Sequence, residues 1–183
     1  MAEEPIGKLL FRYSSPAIIA MFVNSTYNLV DTIYVGQGVG TTALAAMAVS
    51  FPIQMILLAV AQVVGMGSAS IISRGLGAGD NRKASRVAGA SFANVLIAAG
   101  VSTILGLLFL KPLLRLFGAT ELVLPLAQDY MKTIMAGCVF FMFAVSTNNV
   151  VRSEGNARVA MTSMLTGAIT NILLDPLFIF VFR

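Results

Sequence analysis

The sequence predicts an all-α protein that crosses a membrane several times, and three observations predict it. The 183 residues are 57% hydrophobic and 11% charged, where a soluble domain carries about 25% charged residues. Five apolar stretches are each long enough for a bilayer core of about 30 Å, which takes about 20 residues at 1.5 Å rise. The charged residues gather between those stretches rather than within them. Hydrocarbon offers no water to backbone N–H and C=O groups, so unbroken apolar runs of this length must be helices. The strands of a membrane barrel would alternate apolar and polar residues instead.

The chain opens with MAEEPIGKLLFRYSSPA. It has no basic leader followed by a short apolar core and a small-residue cleavage site, so no removable signal peptide is expected. The five predicted helices cover roughly 14–35, 43–72, 87–110, 130–151 and 159–182, in a single transmembrane domain spanning 1–183. The first two are joined by GQGVGTT, too short for anything but a turn. The next connection, SRGLGAGDNRKASR, is Gly-rich and basic, and its Asp80 and Asn81 offer turn and capping chemistry before the third helix. It is not a nucleotide loop. It lacks the Gly-Lys-Ser/Thr ending, and an apolar helix precedes it where a strand would be needed.

If the helices alternate direction, Lys8, Arg12, Arg74, Arg82, Lys83, Arg86, Arg152 and Arg158 fall on one side, and Lys111, Arg115, Lys132 and Arg183 on the other. The side richer in Lys and Arg is expected to be cytoplasmic, which places the N-terminus inside a cell membrane. The net charge of +4 does not imply nucleic-acid binding, because the basic residues are dispersed among loops and not gathered on one helix face. Cys138 is the only cysteine and there is no histidine, so a zinc or haem site has almost no ligands to draw on.

Two acids break the apolar pattern. Asp31 lies in NSTYNLVDTIYV and Asp175 in NILLDPLFIF. An Asp at the centre of a membrane helix costs about 2.5 to 3.5 kcal/mol on insertion scales, so such a residue usually faces protein or water and serves a purpose. Asn171 and Asp175 are four apart and share a helix face; Asn24, Asn28 and Asp31 also recur at helical spacing. Ser146, Thr147, Asn148 and Asn149 form a third polar cluster in the fourth helix. The amides and hydroxyls taken singly are equally well read as hydrogen bonds between helices. The acids are not, because such bonds need no ionisable group. The three patches together suggest one internal site. A carboxyl group in low dielectric resists ionisation and so can take up a proton, and carboxylates with amide oxygens also suit a sodium ion.

Other classes fit less well. In an intramembrane aspartyl protease, paired carboxylates share a proton to activate water. GAGD at Gly77–Asp80 lies in a charged loop beside Arg82 and Lys83, and no Tyr-Asp pair occurs. A small ion channel would need a repeated pore segment or a ring of acids built by oligomerisation. No enzyme activity is expected, and no cofactor.

The chain also resembles a known family along essentially its whole length. YNLVDTIYVGQGVGTTALAA, ISRGLGAGDNRKA, VVRSEGNARVAM and TNILLDPLFIF, in that order, are similar to segments of the multidrug and toxic compound extrusion (MATE) transporters. That resemblance implies an antiporter of twelve helices in two six-helix lobes around a central cleft. Such antiporters export organic cations and other amphipathic compounds in exchange for protons or sodium ions. It implies a cation site in the N-terminal lobe at Asp31, Asn171, Asp175 and Asn148, with adjacent Asn149 leaving the register open, and with Tyr27 one turn before Asp31. It also matches Pro16 to a first-helix proline proposed to bend the helix; a helix-start or packing role for Pro16 is equally open. The ten methionines can line a tolerant drug cavity or simply pack. The sequence departs from the family at Arg183, where it ends with five helices of a six-helix lobe. A second lobe is expected as partner, in the same chain or another, because transporters built from repeats rock one half against the other.

Overall fold

The computed structural model describes residues 6–181. They form five long helices, α1 (Ile6–Gly38), α2 (Thr41–Gly77), α3 (Asn81–Leu108), α5 (Leu124–Ser153) and α6 (Ala157–Pro176), and a short α4 (Leu110–Leu116). After Pro176 the backbone widens into π-helical turns over Leu177–Val181. The chain is thus an all-α, polytopic membrane protein, as its composition requires. Helices α2, α3, α5 and the span Ala157–Ile179 are long and apolar enough to cross a membrane. Helix α1 is 33 residues long, about 50 Å at 1.5 Å per residue, and its apolar sequence is interrupted by Asn24, Asn28 and Asp31.

The helices stop where the local chemistry stops them. Gly40, Gly79, Gly118 and Gly155 take φ between 76° and 105°, which only glycine adopts without strain. Each follows a helix end. Asp80 accepts the Lys83 N–H at 2.9 Å and so caps α3, satisfying one of the donors that a helix start leaves without a partner. Between α4 and α5, Arg115 pairs with Glu121 at 2.7 Å.

The helices form two packed units. In one, α1 packs along α6 and its π-helical end. In the other, α5 packs against α2, α3 and α4. The core of this second unit is built from Ile53, Leu57 and Ala61 of α2, Val95 and Ala99 of α3, Leu114 of α4, and Met131, Met135, Cys138 and Met142 of α5. The α5 residues recur every three or four positions, which is one helix face. Large apolar side chains such as Val63, Leu108 and Phe140 are 70–79% exposed, as expected for residues whose solvent is lipid.

Lipid tails are as apolar as leucine, so the helices of the second unit must be held by close packing and hydrogen bonds. Gly65 lets α2 approach α5: a Cβ there would lie 2.8 Å from Asn149 Nδ2 and 3.1 Å from Ser146 Cα. Gly106 does the same on α3, where a Cβ would meet Met135 Sδ at 2.7 Å. Polar side chains cross the same interfaces. Asn149 Nδ2 donates to Gln62 Oε1 at 2.7 Å, Gln54 Nε2 to the Tyr130 hydroxyl at 3.2 Å, and the hydroxyls of Ser91 and Ser146 lie 3.4 Å apart.

Candidate cation site

The α1–α6 unit holds both acids that interrupt the apolar runs, Asp31 on α1 and Asp175 on α6. Asp31 and Asp175 are each half-buried, they stand on helices that pack along one another, and the two carboxylates interact electrostatically with each other and with Tyr27. Asp175 Oδ2 is buried without a hydrogen-bond partner. Buried polar oxygens are nearly always paired, because leaving one unpaired costs about 1–3 kcal/mol or more. The Asp175 oxygen therefore marks a place suited to a proton or a small cation.

Pro176 accounts for the local backbone. It has no N–H to return to the preceding turn, and α6 ends at that residue and continues in π-helical form. Such widened turns are often found at functional positions of helices. The acid at position 175 thus sits where the regular helix gives way.

The neighbouring amides divide by the partners they keep. Asn28 Nδ2 donates to the Asn24 carbonyl at 2.8 Å, and Thr32 Oγ1 to the Asn28 carbonyl at 2.8 Å, so these side chains satisfy themselves on α1. Asn171 is exposed on α6, one turn before Asp175. Pro16 belongs to α1, but its side chain falls outside the described residues.

The third polar cluster stands on α5, in the other unit, and its members have different tasks. Ser146 is fully buried against Ser91. Asn149 spends its amide N–H groups on Gln62 and on the Val145 carbonyl at 3.1 Å. Asn148 is half-buried, and Thr147 Oγ1 is buried without a hydrogen-bond partner. Sequence reasoning missed Gln62. Its signal was available: a lone amide in the apolar run LLAVAQVVG, which must find a partner in lipid. Among the described residues no group of three or more His, Cys, Asp or Glu side chains could hold a metal ion.

An acid pair carried on one helical unit of a chain built from membrane-spanning helices is the layout of a polytopic membrane protein with an ionisable intramembrane site. The MatE family model matches residues 16–177, and the chain belongs to that family. It is 34% identical over 180 residues to a FAD transporter of Shewanella oneidensis, covering 98% of this chain and 40% of that protein. It is 25% identical to the multidrug export protein MepA of Staphylococcus aureus, with the same coverage. The solved structure of the MATE multidrug transporter DinF-BH superposes with a TM-score of 0.90 at 43% identity, over 98% of this chain and 40% of the other. The chain spans about 40% of the length of these relatives.

Proposed function

We propose that the chain supplies the N-terminal cation site of a secondary transporter that exports organic cations or other amphipathic compounds in exchange for protons or sodium ions. The observation that carries this reading is the acid pair: Asp31 and Asp175 interact within one unit, and an oxygen of Asp175 is buried without a partner. An ion shifts a two-state equilibrium only through its differential affinity for the two states. A proton or sodium ion taken up by these carboxylates has that differential, because it removes the cost of unpaired charge in a low-dielectric setting.

Asp31 and Asp175 are the coupling acids in this proposal, and Tyr27 and Asn171 assist them from one turn away on their own helices. Of the two adjacent amides on α5, the family resemblance favours Asn148 for the coupling role, with Asn149 leaving the register open. A second lobe, in the same or another chain, completes the transport cleft. The N-terminus lies on the cytoplasmic side of the cell membrane, the side that receives eight of the twelve basic residues.

A second substrate reading has its own support. The FAD transporter shares 34% identity with this chain and MepA 25%, so FAD is a substrate to be assayed beside organic cations. The test of the function is counterflow in vesicles holding the assembled transporter. Efflux driven by an imposed proton or sodium gradient is expected to be abolished in Asp175→Asn and in Asp31→Asn at equal expression. Unchanged gradient-driven efflux in both variants refutes the coupling assignment.

A further inference from the structure

Helix α3 buries one face and leaves another open. Ser91, Val95, Ala99 and Gly106 are buried, where the helix packs on α2 and α5. Around the helix from them stand Ala90, Asn94, Ile97, Val101, Ile104 and Leu108, all exposed. Four of these are large apolar side chains, 50–70% exposed, and lipid satisfies them. It does not satisfy Asn94. That residue lies thirteen positions after the start of α3 and fourteen before its end, about 20 Å from either, and so at the middle of a helix long and apolar enough to cross a membrane. Its side chain makes no hydrogen bond with any described residue. Other amides of this unit are bonded between helices, Gln62 with Asn149 and Gln54 with Tyr130. An amide left in hydrocarbon with nothing to bond is costly, so Asn94 calls for a partner from outside the described residues.

The spacing of the open face says what kind of partner. From Ala90 to Leu108 the intervals are four, three, four, three and four, a period of 3.5 residues, which is the seam of a left-handed helix pair. Asn94, Val101 and Leu108 take the first core position of the heptad, and Ala90, Ile97 and Ile104 the fourth. A lone Asn at the first position fixes the register and strand number of such pairs. Ala93 and Gly100 flank the seam, and small residues let two membrane helices approach closely. A Cβ at Gly100 would meet nothing within the chain, so no internal contact requires a glycine there, where it weakens the helix.

The occupant that matches is a second copy of the chain. Two copies inserted with the same sidedness present α3 in parallel and Asn94 at the same depth. A primary amide carries both donor and acceptor, so two Asn94 side chains across a twofold axis along the membrane normal satisfy each other reciprocally. A carboxylate or an ammonium has only half of that chemistry. We propose that α3 is a dimerisation helix: two copies pair their α3 helices in parallel along the Ala90–Leu108 seam, with an Asn94–Asn94 hydrogen bond at the bilayer centre. The seam lies on a different helix from either member of the acid pair.

The test places single cysteines in the 183-residue chain, in a Cys138→Ser background, and oxidises them in native membranes with copper phenanthroline. A disulfide forms only where two Cα atoms come within about 7 Å. Ile97→Cys and Val101→Cys are expected to give a cross-linked dimer, and Leu96→Cys, exposed at the same depth but off the seam, is expected to give none. Sedimentation equilibrium of the chain in detergent micelles reads the dimer directly. Asn94→Val should raise its dissociation constant about tenfold, and Asn94→Gln, which keeps donor and acceptor, should retain most of the affinity. If Asn94→Val does not insert, Asn94→Ala supplies the same reading. A monomer in both assays overturns the proposal, as do cross-links as frequent at position 96 as at position 97, or a dimer indifferent to the loss of the amide. Cross-links at position 97 that vanish on co-expression of a MATE C-terminal lobe assign the face to that lobe and equally overturn it. Asp31→Asn should dimerise as the parent chain does, so the outcome is independent of the coupling assignment.

Discussion

Asn149 and Gln62 clamp α5 to α2: the Asn149 amide donates to the Gln62 oxygen at 2.7 Å, directly over Gly65, where a Cβ would come within 2.8 Å of the same nitrogen. The hydrogen bond and the glycine are therefore one device. The backbones come close because position 65 has no side chain, and the close approach sets the distance at which the two amides meet.

Their energies differ, and that gives an ordered prediction. An interhelical hydrogen bond in a membrane averages about 0.6 kcal/mol, whereas an extra carbon forced into a packed site costs about 1–3 kcal/mol. Gly65→Ala should destabilise the helix bundle more than Gln62→Leu. The double variant should cost less than the sum, because the methyl added at position 65 already displaces Asn149 from Gln62. Unfolding in mixed micelles, followed by circular dichroism, measures all three. A larger loss from Gln62→Leu than from Gly65→Ala would show that the hydrogen bond and not the close approach holds the helices.

The acid pair makes a different kind of prediction. If Asp31 and Asp175 act as one unit on one cation, neutralising either should abolish coupling about as fully as neutralising both, the non-additivity expected of groups that act together. Gradient-driven efflux by Asp31→Asn, Asp175→Asn and the double variant should be reduced to the same background. Tyr27→Phe removes only a hydroxyl and should leave a measurable fraction. A double variant much weaker than two partly active single variants would show that the acids serve separate steps.

The two neighbouring amides of α5 can be told apart by what each substitution damages. Asn149→Ala should lower the unfolding resistance of the bundle, since it removes the partner of Gln62. Asn148→Ala should lower gradient-driven efflux at saturating substrate at equal expression. The reverse pattern, with transport lost in a fully stable Asn149→Ala, would move the coupling role to Asn149.

Much of this was legible in the sequence, for identifiable reasons. Helix content followed from apolar length, because lipid leaves the backbone no other solution. The Asp80 cap followed from a capping residue placed before a helix. The acids announced themselves by their cost in hydrocarbon. The division of labour in Ser146–Asn149 was not legible, because four adjacent polar residues point in different directions around a helix, and which of them meets Ser91 or Gln62 depends on helix rotation. The short α4 was not legible either. Its LKPLLRL is apolar enough to merge with the preceding run; the break at Phe109 falls where Pro112 has no N–H to return to Leu108, and Leu110 and Leu114 then pack into the core.

Sidedness can be tested with single cysteines. In a Cys138→Ser background, Asn81→Cys should be protected from a membrane-impermeant maleimide in whole cells and labelled only after lysis. Thr120→Cys, on the connection between α4 and α5, should be labelled in whole cells. The reason is the distribution of Lys and Arg: Arg74, Arg82, Lys83 and Arg86 flank position 81, while Lys111 and Arg115 precede position 120. Labelling of position 81 in intact cells would invert the topology.

The last prediction concerns the chain by itself. It carries both acids proposed to couple transport, yet it spans about 40% of the length of its relatives, and a carrier that works by alternating access needs a second body to move against the first. Cation binding at Asp31 and Asp175 then has no equilibrium to bias, since differential affinity acts only where two states exist. Residues 1–183 expressed in a strain lacking its own exporters should insert into the membrane and give no efflux of a fluorescent organic cation above background. Co-expression of a MATE C-terminal lobe is expected to restore gradient-driven efflux that Asp175→Asn again removes. Gradient-driven efflux from a monomer of the 183-residue chain would show that a second lobe is not required, and efflux from an oligomer of it would show that a second copy serves in its place.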